Sequence, residues 1–381
     1  MSYPERGSIT VTKLAYGGDA DFPVTLSGDA NDTDSILTSS GSGSVTFDNL
    51  VPGSYSVAED LANLPSWKEV DSTCENISLE PGEDFVCEIK NVKEATIRVK
   101  KTTVGGVGQF DFTGSLGNFN LTTLSENVPI DSFFDVFVDI GGNNLTITET
   151  LPNGWANDNL ICELKDVLPG STHTCEFVNT KLPTLTLVKT VVNDNGGDAE
   201  VSDFTLFIGA TPVLSGATST LPVGSYVASE TNLEGYTESD WGGACAADGS
   251  ITLVAGQNAT CTITNDDNAP SLTLSKLVIS DNGGTLATTT VELTATGPTS
   301  FSGFGPSVSS GSEFETGTYA LSESATLGYA QSAWVCVGGT QEGNEITLVL
   351  RESATCTITN DDIPPSLTLI KHVQGGDASA I

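Results

Sequence analysis

Residues 184–197 read Thr-Leu-Thr-Leu-Val-Lys-Thr-Val-Val-Asn-Asp-Asn-Gly-Gly, and residues 271–284 repeat them as Ser-Leu-Thr-Leu-Ser-Lys-Leu-Val-Ile-Ser-Asp-Asn-Gly-Gly. Both stretches alternate apolar and polar residues, as a half-buried strand does, and then reach a glycine turn typical of a hairpin. Residues 259–267 and 354–362 are identical, Ala-Thr-Cys-Thr-Ile-Thr-Asn-Asp-Asp. These pairs of stretches mark the beginnings and ends of duplicated β domains.

Two more diverged copies precede this pair, at a period of roughly 90 residues. They keep the opening strand that ends in Lys, a Gly-Gly turn, and a closing Cys-Glu-Xaa-Xaa-Asn strand. The chain has no sustained helical periodicity, so we predict an all-β tandem array of four domains and a partial fifth. The predicted domains are repeat 1 at residues 1–92, repeat 2 at 93–181, repeat 3 at 182–267, repeat 4 at 268–363, and the first strand of a fifth repeat at 364–381.

Composition narrows the classes of function. The 381 residues contain 14 basic and 49 acidic side chains, a net charge of −35, which argues against binding nucleic acid. No apolar run is long enough to span a membrane. The two histidines, His173 and His372, lie in different repeats and cannot form a catalytic triad. We therefore expect no enzyme acting on an external substrate.

One Lys, one Glu and one Asn per repeat share the apolar, inward face of their strands, because side chains on a strand alternate between its two faces. The lysines close the first strand, the glutamates a middle strand and the asparagines the last strand. They are Lys13, Lys101, Lys189 and Lys276; Glu59, Glu149, Glu230 and Glu323; and Asn91, Asn179, Asn265 and Asn360.

These residue types predict an intramolecular isopeptide bond. Burial lowers the pKa of a lysine, and the neutral amine can then attack the carboxamide carbon of asparagine. Burial also favours a protonated glutamate, which can polarise the amide carbonyl and move protons as ammonia leaves. Each domain would run this reaction once, on itself. Two alternatives remain open: the three residues are paired but unreacted, or the Lys and Asn are solvated residues at strand ends.

The order of these residues resembles the Cna protein B-type domains, also called SpaA-type or prealbumin-like pilin domains. In three repeats the Glu strand is followed by a glycine and an aromatic residue, Gly154-Trp155, Gly235-Tyr236 and Gly328-Tyr329; repeat 1 departs, with Leu64-Pro-Ser-Trp67. The resemblance implies reversed immunoglobulin-like, transthyretin-like β-sandwiches at a cell surface, with Lys–Asn bonds catalysed by Glu. It groups Lys13 with Glu59 and Asn91, Lys101 with Glu149 and Asn179, Lys189 with Glu230 and Asn265, and Lys276 with Glu323 and Asn360.

The eight cysteines fall two to a repeat, which predicts one disulfide per domain and an oxidising compartment. Zinc binding is the rival interpretation, but the chain has no CxxC pair and too few histidines for it. We predict no metal at these cysteines. The predicted pairs are Cys74 with Cys87, Cys162 with Cys175, Cys245 with Cys261, and Cys336 with Cys356.

Together these features predict an extracellular, cell-surface stalk or filament segment that needs no cofactor. Two alternatives are a surface adhesin for a host or neighbouring-cell ligand, and a fibre subunit that adds its strand at 364–381 to a neighbouring subunit. Acidic linkers at Asp266-Asp267 and Asp361-Asp362 offer oxygen ligands for calcium, although solvated loops are the interpretation we favour.

Overall fold

The computed structural model of the chain describes residues 4–372, which form strands joined by turns and two short 3-10 helices, Val201–Asp203 and Thr288–Thr290. The all-β prediction is confirmed. None of the helices in this part of the chain is long and apolar enough to cross a membrane.

The strands of the first two repeats follow the alternating pattern of the sequence. Repeat 1 contains β1 (Gly7–Tyr16), β2 (Asp21–Gly28), β3 (Asp32–Leu37), β4 (Ser42–Leu50), β5 (Gly53–Glu59), β6 (Trp67–Ser72), β7 (Ile77–Leu79) and β8 (Asp84–Lys93). Repeat 2 contains β9 (Ala95–Val104), β10 (Gln109–Gly114), β11 (Phe119–Thr122), β12 (Ile130–Val136), β13 (Asn143–Thr150), β14 (Trp155–Ala156), β15 (Ile161–Val167) and β16 (Thr172–Lys181).

The last two repeats have shorter outer strands and contain nine and ten strands, compared with eight in each of the first two. Repeat 3 contains β17 (Thr184–Val192), β18 (Leu206–Ile208), β19 (Thr211–Val213), β20 (Thr218–Thr220), β21 (Gly224–Glu230), β22 (Tyr236–Glu238), β23 (Gly242–Gly243), β24 (Ser250–Leu253) and β25 (Asn258–Asp267). Repeat 4 contains β26 (Ser271–Ile279), β27 (Glu292–Thr296), β28 (Phe301–Phe304), β29 (Ser307–Ser309), β30 (Gly317–Glu323), β31 (Tyr329–Gln331), β32 (Val335–Val337), β33 (Thr340–Glu342), β34 (Glu345–Leu348) and β35 (Ser353–Asp362).

Each repeat has two sheets, and one of them places the first and last strands of the repeat side by side at its centre. These sheets run β4-β1-β8-β6, β12-β9-β16-β14, β20-β17-β25-β22 and β29-β26-β35-β31. The pairs β1 with β8, β9 with β16, and β26 with β35 are parallel. The chain therefore enters and leaves a repeat through hydrogen-bonded neighbours.

The second sheet of each repeat carries the Glu strand and covers the first. These sheets run β3-β2-β5-β7, β11-β10-β13-β15, β19-β18-β21-β24 and β28-β27-β30-β34-β33. In repeat 1, Ile9 and Val11 of one sheet pack with Val24, Leu26 and Val57 of the other, and all five are at most 2% exposed. Burial of such side chains from two facing sheets is the main force that holds a sandwich together.

Contacts divide the chain into two compact units, of which one holds repeats 1 and 2 and the other most of repeats 3 and 4. Beyond repeat 4, residues 364–372 form no strand, and Leu367, Leu369 and Ile370 are at least 80% exposed. A segment without a partner strand leaves its backbone groups to solvent, so this exposure is expected. The rest of the predicted fifth-repeat strand, 373–381, lies outside the described residues, and its role as a truncated repeat or a donor strand stays a prediction.

Candidate functional site

The predicted Lys, Glu and Asn side chains of each repeat meet inside the sandwich. The lysine lies on the first strand, β1, β9, β17 or β26, and is at most 4% exposed; the asparagine lies on the last strand, β8, β16, β25 or β35, and is at most 2% exposed. The glutamate closes β5, β13, β21 or β30 of the opposite sheet, except that β13 continues one residue beyond Glu149. This burial excludes the solvated strand-end alternative.

Strand register brings Lys and Asn together. In the parallel pair of repeat 1, Lys13 lies opposite Ile89, so Asn91 is two residues farther along the neighbouring strand. The same offset occurs in repeats 2 and 4, where Lys101 lies opposite Phe177 and Lys276 opposite Ile358. Residues two apart on a strand share a face, so the amine and the carboxamide point into the same part of the core.

Each lysine forms a buried ion pair with its glutamate. The Nζ to carboxylate distances are 2.5 Å for Lys13 and Glu59, 2.7 Å for Lys101 and Glu149, 2.7 Å for Lys189 and Glu230, and 2.5 Å for Lys276 and Glu323. These side chains are at most 2% exposed.

Burial dominates the electrostatics of the lysines. It lowers the pKa of all four, and the hydrogen bond and charge of the paired glutamate only partly oppose it. A lowered pKa increases the fraction of each lysine that is present as the neutral amine, which is the nucleophilic form.

The asparagine of repeat 4 makes a different contact from the asparagines of repeats 1 and 2. Asn91 donates from Nδ2 to Glu59 at 2.6 Å, and Asn179 donates to Glu149 at 2.7 Å. Asn360 donates instead to the Thr326 hydroxyl at 2.7 Å. Within the described part of the chain, the buried Oδ1 atoms of Asn91, Asn265 and Asn360 accept no hydrogen bond. An unsatisfied buried amide oxygen costs about 1–3 kcal/mol, which a native fold rarely tolerates without a functional reason.

A phenylalanine covers the lysine in three repeats, a feature that the sequence reasoning missed. The Nζ atoms of Lys13, Lys101 and Lys189 lie 4.3–4.4 Å from the ring centres of Phe22, Phe110 and Phe204. Each ring lies two residues before the cross-strand partner of the glutamate. The aromatic face shields the amine from water and attracts its charged form.

Repeat 4 is different at this position. There the partner of Glu323 is Leu293, and the residue two before it is Val291, which is fully buried. The signal in the sequence was a Phe in or just before the second strand of repeats 1 to 3, but its contact with Lys depends on how the two sheets pack.

Each repeat also contains a disulfide. The structure forms the four predicted bonds, Cys74–Cys87, Cys162–Cys175, Cys245–Cys261 and Cys336–Cys356. The second cysteine of each pair lies on the last strand and is at most 2% exposed. Cys87 lies opposite Val11, which is the inward-facing residue before Lys13 on β1. The disulfide of repeat 1 is therefore buried next to the level of Lys13 in the same sheet.

The acidic linkers are tied into the fold. Asp267 accepts hydrogen bonds from the backbone N–H groups of Asn195 and Gly197, and Asp362 does the same for Asn282 and Gly284. Burial raises the pKa of Asp362, but the N–H groups of Gly284 and Asn282 outweigh it and hold the pKa below its usual value.

These contacts also bear on the predicted calcium sites. The carboxylate oxygens of Asp194, Asp266 and Asp267 lie within 4.8 Å of one another, as do those of Asp281, Asp361 and Asp362. The buried member of each group is already occupied by backbone N–H groups. Calcium at the linkers therefore stays a prediction, and the structure gives the aspartates a second role in fixing the turn after the first strand.

Two protein-family models match the sequence of this chain. A SpaA-type model, described as a prealbumin-like fold domain, matches residues 181–263 and 267–358. A second SpaA-type model with the same description matches residues 97–181. The chain belongs to the prealbumin-like fold domain family. The predicted family and its transthyretin-like sandwich are thereby confirmed for this tandem prealbumin-like chain.

Solved structures resemble this prealbumin-like chain at low sequence identity. The Bacillus anthracis TIE protein is 13% identical over 90% of this chain and 68% of its own, with a TM-score of 0.32. The open conformation of the pilus adhesin SpaC from Lactobacillus rhamnosus GG is 13% identical over 96% of this chain and 57% of its own, with a TM-score of 0.29. Two B repeat units of the collagen binding protein of Staphylococcus aureus are 12% identical over 94% of this chain and 100% of their own, with a TM-score of 0.18. A search of curated proteins found no significant match.

Proposed function

We propose that the chain is a segment of an extracellular stalk or filament whose repeats are each closed by an autocatalytic Lys–Asn isopeptide bond and a disulfide. The observation that carries this proposal is the buried Lys–Glu ion pair beside an inward Asn in all four repeats. A buried ion pair is by itself weak evidence for stability, because removing two charges from water costs several kcal/mol each. A reaction that consumes the pair gives its presence a reason.

The chemistry needs only the three side chains. A proton passes from the lysine ammonium to the glutamate carboxylate, which leaves a neutral amine and a carboxylic acid. Nζ then attacks Cγ of the asparagine, and the Nζ–Cγ bond forms. The glutamic acid gives its proton to Nδ2, so that the Cγ–Nδ2 bond breaks and ammonia leaves. The resulting carboxylate then takes the second proton from Nζ, and the glutamate ends as a carboxylic acid.

The position of the bond suits a mechanical role. Tension along a tandem chain enters a repeat through its first strand and leaves through its last. In repeat 4 these are β26 and β35, which run parallel over nine paired residues, from Ser271 opposite Ser353 to Ile279 opposite Asp361. Pulling them apart shears the ladder lengthwise, and a Lys276–Asn360 bond would carry the force across the ladder covalently. The sandwich behind the bond would then bear little load.

Stretching single molecules of the full chain under reducing conditions tests the mechanical role. A closed Lys276–Asn360 bond shields the intervening residues, so we expect repeat 4 to give no unfolding step. The Asn360→Ala variant should release the roughly 84 residues between these positions, at about 3.4 Å each. The expected step is about 290 Å minus the distance between the two positions in the folded repeat. An exposed substitution in the same repeat, Glu345→Ala, serves as the control. A step of that length in the wild-type chain would contradict the proposal.

A further inference from the structure

Repeat 2 holds a fourth polar side chain at the candidate site. Asn157 follows β14, which pairs with β16 through Trp155 opposite Lys181 and Ala156 opposite Thr180. This register places Asn157 across from Asn179. Its Nδ2 donates to Asn179 Oδ1 at 2.6 Å and to Glu149 Oε2 at 2.9 Å.

The amide of Asn157 is held in this orientation by the loop that follows. Its Oδ1 accepts a hydrogen bond from the backbone N–H of Asn159 at 2.8 Å. Because the oxygen of the amide is fixed towards the loop, the NH₂ group faces the site. The donor is in place before any reaction begins, which is the condition for effective electrostatic stabilisation.

The other repeats carry different residues at this cross-strand position. Glu69 lies opposite Asn91, Glu238 opposite Asn265, and Gln331 opposite Asn360. In those repeats the asparagine Oδ1 accepts no hydrogen bond from any described residue. Repeat 2 is therefore distinguished by a donor at the atom that gains negative charge when an amine attacks the amide.

We infer that Asn157 is an oxyanion donor that accelerates isopeptide formation between Lys101 and Asn179. As the Lys101 Nζ–Asn179 Cγ bond forms, the C=O electron pair moves onto Oδ1, where the Asn157 N–H stabilises it. When the carbonyl re-forms, the Cγ–Nδ2 bond breaks, and Nδ2 leaves as ammonia with a proton supplied by Glu149, whose carboxylate then takes the extra proton from Lys101 Nζ. Asn157 itself neither gains nor loses a proton. The inference rests on the proposed function, because it assigns a role in that same reaction.

The rate of bond formation in repeat 2 tests this role. The full chain is made by cell-free synthesis in an oxidising buffer, sampled over time and digested, and the linked Lys101–Asn179 peptide is quantified by mass spectrometry. Removing one oxyanion donor typically lowers a rate about 10²–10³-fold, and we expect Asn157→Ala and Asn157→Asp to slow linkage in repeat 2 by that order. Linkage in repeats 1, 3 and 4 of the same molecules should be unchanged.

Asn159→Asp is the matched control, because it makes the same charge change in the same exposed loop and keeps the backbone N–H. Formation of the Cys162–Cys175 disulfide and an unchanged Trp155 fluorescence report that each variant folds; Asn157→Asp keeps the side-chain size if Asn157→Ala fails. A folded variant that links repeat 2 at the wild-type rate would overturn the role of Asn157 alone. A wild-type chain in which no repeat links would overturn the proposed function, and the role of Asn157 with it.

Discussion

Replacing Glu230 by alanine in the full chain is expected to leave repeat 3 without its isopeptide bond and to destabilise it more than the other repeats. Glu230 is the partner of Lys189 at 2.7 Å, and both side chains are at most 2% exposed. Its removal leaves a buried amine without its charge partner, which costs about 3–5 kcal/mol in comparable buried pairs. It also removes the group that would move protons during the reaction. Calorimetry and peptide mass mapping together measure both effects.

The control for this variant is Glu234→Ala, an exposed glutamate in the following loop. It should leave both the thermal unfolding transition of repeat 3 and the amount of its linked peptide unchanged. Glu230→Gln adds a further comparison, since it keeps the side-chain size but cannot act as a base. The catalytic assignment would be wrong if repeat 3 of Glu230→Ala still contained a Lys189–Asn265 linked peptide.

The second large effect is expected from the disulfide with the longest loop. Cys336 and Cys356 are separated by 20 residues, compared with 13 or 16 in the other repeats. On the chain-entropy model, a loop near this length contributes roughly 3 kcal/mol by restricting the unfolded state. Replacing both cysteines by alanine should lower the free energy of unfolding of repeat 4 by about that amount, measured by denaturant unfolding.

A matched pair of alanines on the surface of the same repeat, Glu342→Ala with Glu345→Ala, controls for a general loss of stability. Reduction of the wild-type chain should reproduce the effect of the double cysteine replacement in repeat 4. If the stability of repeat 4 did not change in either experiment, the disulfide would have no role in holding that domain.

Much of the site was predictable because strand periodicity is a local property. The alternation around Lys13, Lys101, Lys189 and Lys276 placed each amine on the inward face, and the structure buries all four. Duplication of the repeats supplied the pairing of the cysteines, since each copy contains two. The family resemblance supplied the transthyretin-like topology of the sandwich, which alternation alone does not specify.

The remaining features depend on contacts between distant segments. The ring of Phe22 lies over Lys13 only because β2 packs across from β1 at the level of this lysine. The position of Asn157 opposite Asn179 follows from the register of the two-residue strand β14, and the Gly154-Trp155 motif that marks the start of this strand does not specify that register. Asp267 and Asp362 were interpreted as residues of solvated linkers, with calcium binding as the alternative, whereas their carboxylates bind the backbone of a turn at least 70 residues away.

We propose that each repeat closes itself with a covalent Lys–Asn bond. Intact mass of the full chain under reducing conditions, followed by mapping of branched peptides, tests it most directly. We expect a deficit of one ammonia for each of the four repeats, with each loss located in a peptide that joins the paired Lys and Asn. Without reductant, two further hydrogens should be missing for each disulfide. A reduced mass equal to that of the plain sequence would contradict the account.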